Sequence, residues 1–154
     1  MALLPTAKVS FRGVTVDART RAAVLWAEKQ LGFELEFSQG SFRPYTSYSG
    51  STHTGPGALD ARVNGFSSEK ITRIVKVLRN AGFAAWSRDS RDGFAPHIHM
   101  ILLDCSGLPS GARWQVYEYD RGRSGLTNGK PDRIAYRPAP KVKFSWLLRK
   151  PVRR

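Results

Sequence analysis

Apolar and polar positions along the chain follow two periods. Over residues 67–82, SSEKITRIVKVLRNAG, Ile71, Ile74, Val75 and Leu78 recur at i, i+3, i+4 and i+7, and Gly82 closes the run. That is the stripe of an amphipathic helix. Residues 17–31, DARTRAAVLWAEKQL, predict a second helix, with Asp17 as its cap, Ala22, Leu25 and Trp26 sharing a face, and Gly32 as its stop. A shorter helix is expected over about 110–120, SGARWQVYEYD. Elsewhere the period drops to two. FELEFSQ (33–39), ALDARV (58–63), FAAWS (83–87) and HIHMILL (97–103) predict strands, the last two joined by the charged turn RDSRDG. Residues 40–57 form a long loop rich in Gly, Ser, Thr and Pro, and loops of that length inside a domain usually carry function. Beyond Gly122 the pattern fades into the turn-rich GRSGLTNGKPD. With no internal repeat and no second core, the pattern predicts an α+β domain: a small, mostly antiparallel sheet with helices packed on it.

Composition narrows the function classes. At 154 residues and 41% hydrophobic, the chain can bury one core, which excludes wholesale disorder. No apolar run reaches the length of a membrane span. The start, MALLPTAKVSFRG, lacks a basic head followed by a long apolar run, so no secretory signal is read there. The expectation is a chain made in the cytoplasm which, if it works on a cell wall, reaches it by release. Cys105 is the only cysteine, so no intrachain disulfide forms, and it is expected to be a small buried hydrophobe.

The net charge of +13 favours a polyanionic partner: nucleic acid, anionic lipid or an anionic cell-wall polymer. From Arg121 to Arg154 the chain is strongly basic, with Asp132 its only acid. The end, KVKFSWLLRKPVRR, mixes that charge with Phe144, Trp146, Leu147 and Leu148. It either docks on an anionic surface or packs on the domain with its charges solvated. There is no helix-turn-helix, RNP or zinc-finger signature for specific nucleic-acid binding.

The chemistry concentrates in three histidines. On a strand, His97 and His99 point to one face, with Ile98 and Met100 on the other. His53 lies in the long loop and Asp60 in the strand that follows it. Catalytic zinc keeps three N or O protein ligands and an open fourth position, and the lack of cysteine ligands argues for such an open site. Two histidines and the aspartate supply that set and leave one histidine over. Tyr45 and Tyr48 are placed to line a cleft, whereas Trp26, Trp86 and Trp114 are expected in the core. Arg43 is either a carboxylate-binding guanidinium or a solvated loop charge. Arg88 pairs with Asp89 or Asp92, or reaches substrate.

The stretch STHTGPGALD, with Ser51, His53, Ala58 and Asp60, followed by His-x-His, resembles the LAS zinc peptidases: lysostaphin-type peptidases, D-Ala-D-Ala metallocarboxypeptidases and the Hedgehog domain. It is most similar to the D-Ala-D-Ala carboxypeptidase branch, which includes phage endolysins. SQGSF and GFAAWSR add to the likeness, which covers about residues 35–103 and extends toward 126. The resemblance implies a Hedgehog/D-Ala-D-Ala peptidase-like fold over 1–126, with 127–154 a basic extension that stands apart or packs on the same domain. It implies one zinc held by His53, Asp60 and His99, with His97 beside it stabilising the transition-state oxyanion. Gln39 and Ser41 match the region where relatives hold substrate, with Arg43 as the charged alternative. Many members carry an acid three residues before the last zinc histidine; here that position is Pro96. Asp92 is then the first candidate for general base and His97 the second, with Asp89 nearby. The implied function is a zinc-dependent peptidase cutting an amide in peptidoglycan stem or cross-link peptides, as an endolysin or wall hydrolase. The alternatives are a zinc-bearing domain that binds wall peptide without cutting it and, third, a nucleic-acid-binding module.

Overall fold

The structure, a computed structural model, describes residues 4–141. Two small antiparallel sheets and three helices make an α+β fold. Strands β1 (Lys8–Phe11) and β2 (Val14–Asp17) form a hairpin. It turns on Arg12 and Gly13, both at positive φ (49° and 83°), the two-residue turn whose twist matches paired strands. Helix α1 spans Ala18–Leu31, capped by Asp17, whose carboxylate accepts from the Thr20 amide, and closed by Gly32 in the left-handed region. The main sheet has the order β3-β4-β6-β5, from β3 (Phe37–Gln39), β4 (Ala58–Arg62), β5 (Phe83–Arg88) and β6 (His97–Leu102). Helix α2 (Ser68–Asn80) precedes β5, and α3 (Ser110–Asp120) follows β6.

The expected helices and strands of the main sheet are present, with the strand expected over 33–39 shortened to Phe37–Gln39, but the face of α1 differs. Ala23, Val24, Ala27 and Leu31 are buried, while Leu25 is exposed. The polar side chains Arg19, Thr20 and Glu28 are buried on α1 as well, which weakens its amphipathic signal. Glu28 can be buried because it accepts from Arg12 Nη1 and Nη2 and from the Leu35 amide. On α2 the expected stripe holds: Ile74, Val75 and Leu78 are buried and Ile71 packs at their edge.

Alternation gives the main sheet two distinct faces. Leu59, Ala61, Phe83, Ala85, Ile98, Met100 and Leu102 pack with α1 and α2 in the main core. On the other face three cross-strand rows follow one another. Ala58, Ile101 and Ala84 form the first, Asp60, His99 and Trp86 the second, and Arg62, His97 and Arg88 the third. The first row packs under Ala112 and Tyr119 of α3. The second and third rows carry the polar site.

The chain after α3 runs back over the β5 edge and is tied there by side chains donating to its carbonyls. Trp86 Nε1 reaches Arg123 O (3.0 Å) and Arg88 Nη1 reaches Ser124 O (2.6 Å). Buried Arg79 reaches Ile134 O, Tyr136 O and the Asp132 carboxylate (2.6–2.8 Å). Asp132, Ile134 and Tyr136 are thus held against α2. Phe144, Trp146, Leu147 and Leu148, expected either to dock on an anionic surface or to pack on the domain, lie outside the described residues, as do Met1–Leu3. Among the described residues, no helix is long and apolar enough to cross a membrane.

Candidate metal centre

Asp60 and His99 stand directly opposite each other on β4 and β6, with Asp60 Oδ1 2.7 Å from His99 Nδ1. His53 arrives from the loop, its Nε2 3.5 Å from the same oxygen, and His97 Nε2 lies 4.0 Å from it. The loop is pinned so that His53 can reach. The Ser41 amide donates to Thr15 O (2.8 Å), the Arg43 amide to His53 O (2.7 Å), and the Gly57 amide to Asp17 Oδ1 (3.0 Å). Gly40 sits flat on the β1–β2 hairpin: a Cβ there would lie 2.7 Å from Val14 Cβ and 2.8 Å from Thr15 O. This approach aims the Gly40 carbonyl at His53 Nδ1, 2.9 Å away.

The hydrogen bonds behind the imidazoles decide which nitrogens carry protons. His53 Nδ1–H donates to Gly40 O and His97 Nδ1–H to Ala95 O (2.8 Å), leaving both Nε2 lone pairs facing Asp60. For His99 the partner is Gln115 on α3. The Gln115 amide nitrogen donates to Gly125 O (3.3 Å), so its Oε1 faces His99 Nε2 at 2.8 Å and accepts that N–H. The remaining His99 lone pair, on Nδ1, then meets a carboxylate oxygen. Three lone pairs and one carboxylate converging on a point suit a cation. His53, Asp60 and His99 each offer a ligand atom within 4.8 Å of the others, close enough to bind one metal ion.

The electrostatics agree. Burial alone would push the Asp60 carboxyl up, but a positive charge or proton held between it and the His53 and His99 nitrogens outweighs burial, and the net direction is well below the usual carboxylate range. Burial lowers the pKa of His99, favouring the neutral ring a metal needs. Trp86 stacks on His99, centroids 5.9 Å apart and planes at 12°, and fixes the ring from the β5 side.

A cavity of about 570 Å³ opens over this cluster. Gln39, paired opposite Asp60 on β3, lies in its wall, as do Arg88 and Asp92. Ser41 does not: it is buried, with Oγ donating to Ala58 O (2.8 Å). The Arg43 side chain is exposed outside the wall, and its structural part is the amide that holds the His53 carbonyl. Asp92 accepts from Arg133 through both oxygens (3.1 and 2.9 Å) and from the Asp89 amide (3.1 Å). Asp89, paired with Arg91, lies outside this wall. Tyr48 stands at the rim, whereas Tyr45 is exposed away from it. Trp114, expected in the core, is 41% exposed and lines the cavity, because the buried side of α3 is taken by Ala112 and Tyr119. Trp86 is core, as expected, and meets the site only through its stacking on His99.

Gln115, Leu126 and Asn128 line the site as well, although sequence reasoning did not single them out. Gln115 had a usable signal: it lies at i+3 from Ala112 and i−4 from Tyr119, a polar residue in a buried stripe. Leu126 and Asn128 had none, since what brings them to the site is the long-range bonding of Trp86, Arg88 and Gln115 to the neighbouring Arg123, Ser124 and Gly125 carbonyls. Comparison with protein-family models, curated proteins and solved structures finds no match to the chain.

Proposed function

We propose that this chain is a zinc-dependent peptidase that hydrolyses an amide bond in peptidoglycan stem or cross-link peptides, as an endolysin or wall hydrolase. The observation that carries the reading is the convergence of imidazole lone pairs on Asp60, with each N–H already spent on a carbonyl behind it. A donor set of two imidazoles and one carboxylate, with no thiolate, suits catalytic zinc. Bound zinc would supply Lewis acidity toward the scissile carbonyl and a water of lowered pKa. His97 Nε2 keeps a free lone pair in the open part of the site, so it can take a proton from the nucleophile and then donate to the developing oxyanion. We favour His97 over Asp92 for this step because the Asp92 oxygens already accept from Arg133 and Asp89. Gln39, beside Asp60, is placed to bind substrate backbone. The peptidoglycan assignment rests on the motif resemblance and is supported by a charge of +13, which suits an anionic wall.

The engagement of Asp92 also favours a second reading, a zinc-bearing domain that holds wall peptide without cutting it. Metal analysis and mass spectrometry of treated muropeptides separate the two. The peptidase reading expects one zinc per chain and a new peptide product, both lost in His53→Ala and His99→Ala. Zinc and peptide binding without product would transfer the site to the second reading, and absence of zinc would sink both.

A further inference from the structure

Helix α3 shows solvent a face that its buried side does not explain. Trp114 and Tyr117 are 41% and 55% exposed, two large aromatic rings side by side on the surface. Trp114, Tyr117 and Arg121 follow at i, i+3 and i+7, so they form one stripe along the helix, about 10 Å from end to end. The stripe starts at the metal cavity, which Trp114 lines together with Gly111 and Gln115 of the same helix. Tyr117 is braced: Arg121 Nη1 donates to its hydroxyl (2.9 Å), and the guanidinium lies 5.2 Å from the ring centroid. A ring held in place loses little freedom when a ligand stacks on it. Exposed Arg113 and Asp120 flank Tyr117 on the side away from Trp114, so the charge of this face is mixed.

We infer that this stripe binds the sugar strand of the wall polymer whose peptides enter the metal cavity. The inference rests on the assignment of that cavity to peptidoglycan and adds a second part to the substrate, the glycan. A pyranose ring has a face of C–H groups that stacks on an aromatic ring, and an edge of hydroxyl and acetamido groups that takes hydrogen bonds from a neighbouring donor. Trp114 and Tyr117 supply the aromatic faces, and the Arg121 nitrogens not committed to Tyr117 supply the donors. The length of the stripe suits a disaccharide repeat. Nucleic acid also stacks on exposed aromatics, but it carries a phosphate at every nucleotide and is held by cations lined up along it. A face where Arg113 stands with Asp120 suits a strand of low charge instead. Because the stripe leads out of the cavity, a bound strand keeps its own stem peptide at the cavity mouth and raises its local concentration there.

The test is calorimetry of the full chain with soluble glycan strands stripped of their peptides, a probe that involves no cleavage. Wild type is expected to bind them, and Tyr117→Ala to bind them about two- to tenfold more weakly, the worth of an aromatic contact. The double variant Trp114→Ala, Tyr117→Ala should bind more weakly still; if it fails to fold, Tyr117→Ala alone decides. No binding by wild type, or binding that Tyr117→Ala leaves unchanged, overturns the inference. A single-stranded oligonucleotide is titrated alongside, and a stripe whose loss weakens the oligonucleotide but not the glycan overturns it as well. Cleavage is read separately, with zinc-loaded protein and glycan-linked stem peptide. Product without glycan binding keeps the peptidase reading and overturns this inference. Glycan binding that the variants weaken, without product, keeps this inference and overturns the peptidase reading.

Discussion

Asp60 Oδ1 and His99 Nδ1 sit 2.7 Å apart across neighbouring strands, and Gln115 turns that contact into a demand for a cation. By accepting the His99 Nε2–H, Gln115 leaves two acceptors facing each other in a buried place. A bare lone-pair contact of this kind is repulsive, so either a proton or a metal ion must lie between them. Burial disfavours the doubly protonated ring, which leaves the metal as the better occupant.

Replacement of Gln115 by Leu is therefore expected to weaken metal binding by about ten- to a hundredfold, the usual effect of losing the partner behind a ligating histidine. Competition against a chromophoric chelator measures it. Gln115→Glu keeps an acceptor for the Nε2–H and should bind metal nearly as the wild type does. Unchanged affinity in Gln115→Leu would show that α3 does not set the His99 tautomer.

Gly40→Ala tests the same logic at His53. The added methyl meets Val14 Cβ and Thr15 O, so the loop must lift from the hairpin and carry the Gly40 carbonyl away from His53 Nδ1. A loss of about 1–3 kcal/mol in stability is expected, as for other overpacked sites, together with weaker metal binding. Urea denaturation of the metal-free protein gives the first, and metal titration the second.

Much of this site was legible because its residues lie on regular elements. Alternation placed His97 and His99 on one face, and the strand after the loop placed Asp60 beside them. The α2 stripe was legible for the same reason. Three other features were not. The buried side of α1 carries Arg19, Thr20 and Glu28, which mask its period. The β1–β2 hairpin has strands of four residues each, too short for alternation to stand out, although its Arg-Gly turn is a signal. The segment after α3 is shaped by Arg79, Trp86 and Arg88 donating to distant carbonyls, and such bonds leave no periodic trace. Gly125 belongs to that segment: a Cβ there would come within 2.9 Å of the Trp86 ring.

Arg79→Met should loosen that segment. Arg79 is fully buried and donates to the Ala85, Ile134 and Tyr136 carbonyls as well as to Asp132. Its loss leaves Asp132 with Arg137 as its remaining ion-pair partner. A destabilisation of about 3 kcal/mol is expected from breaking one side of a buried pair. Chemical denaturation reads it, and an unchanged midpoint would mean that the segment is held by other contacts.

Cys105 should be inert in the folded protein. It is buried, and burial pushes its thiol up to about 12, so almost no thiolate exists at neutral pH. A chromogenic disulfide reagent is expected to find no reactive thiol under native conditions and one thiol per chain in denaturant. Rapid native reaction would contradict the placement of Cys105 in the core.

Acid should weaken the turn that leads into β6. Asp89 accepts from the Arg91 amide (2.9 Å) and Asp92 from the Asp89 amide (3.1 Å), a reciprocal cap next to the cavity. The Arg91 side chain holds the Asp89 carboxyl down at about 2. Burial pushes the Asp92 carboxyl up, but Arg133 outweighs it, and the net direction is downward. Both folded values lie below the unfolded value of about 3.9. Between about pH 4 and pH 2 the unfolded chain therefore binds more protons than the folded one, and stability is lost as pH falls through that window. Above about pH 4 the contribution is fully present. In the metal-free protein the double variant Asp89→Asn, Asp92→Asn should flatten the dependence of the denaturation midpoint on pH across that window. An unaltered slope would assign the acid sensitivity to carboxylates elsewhere.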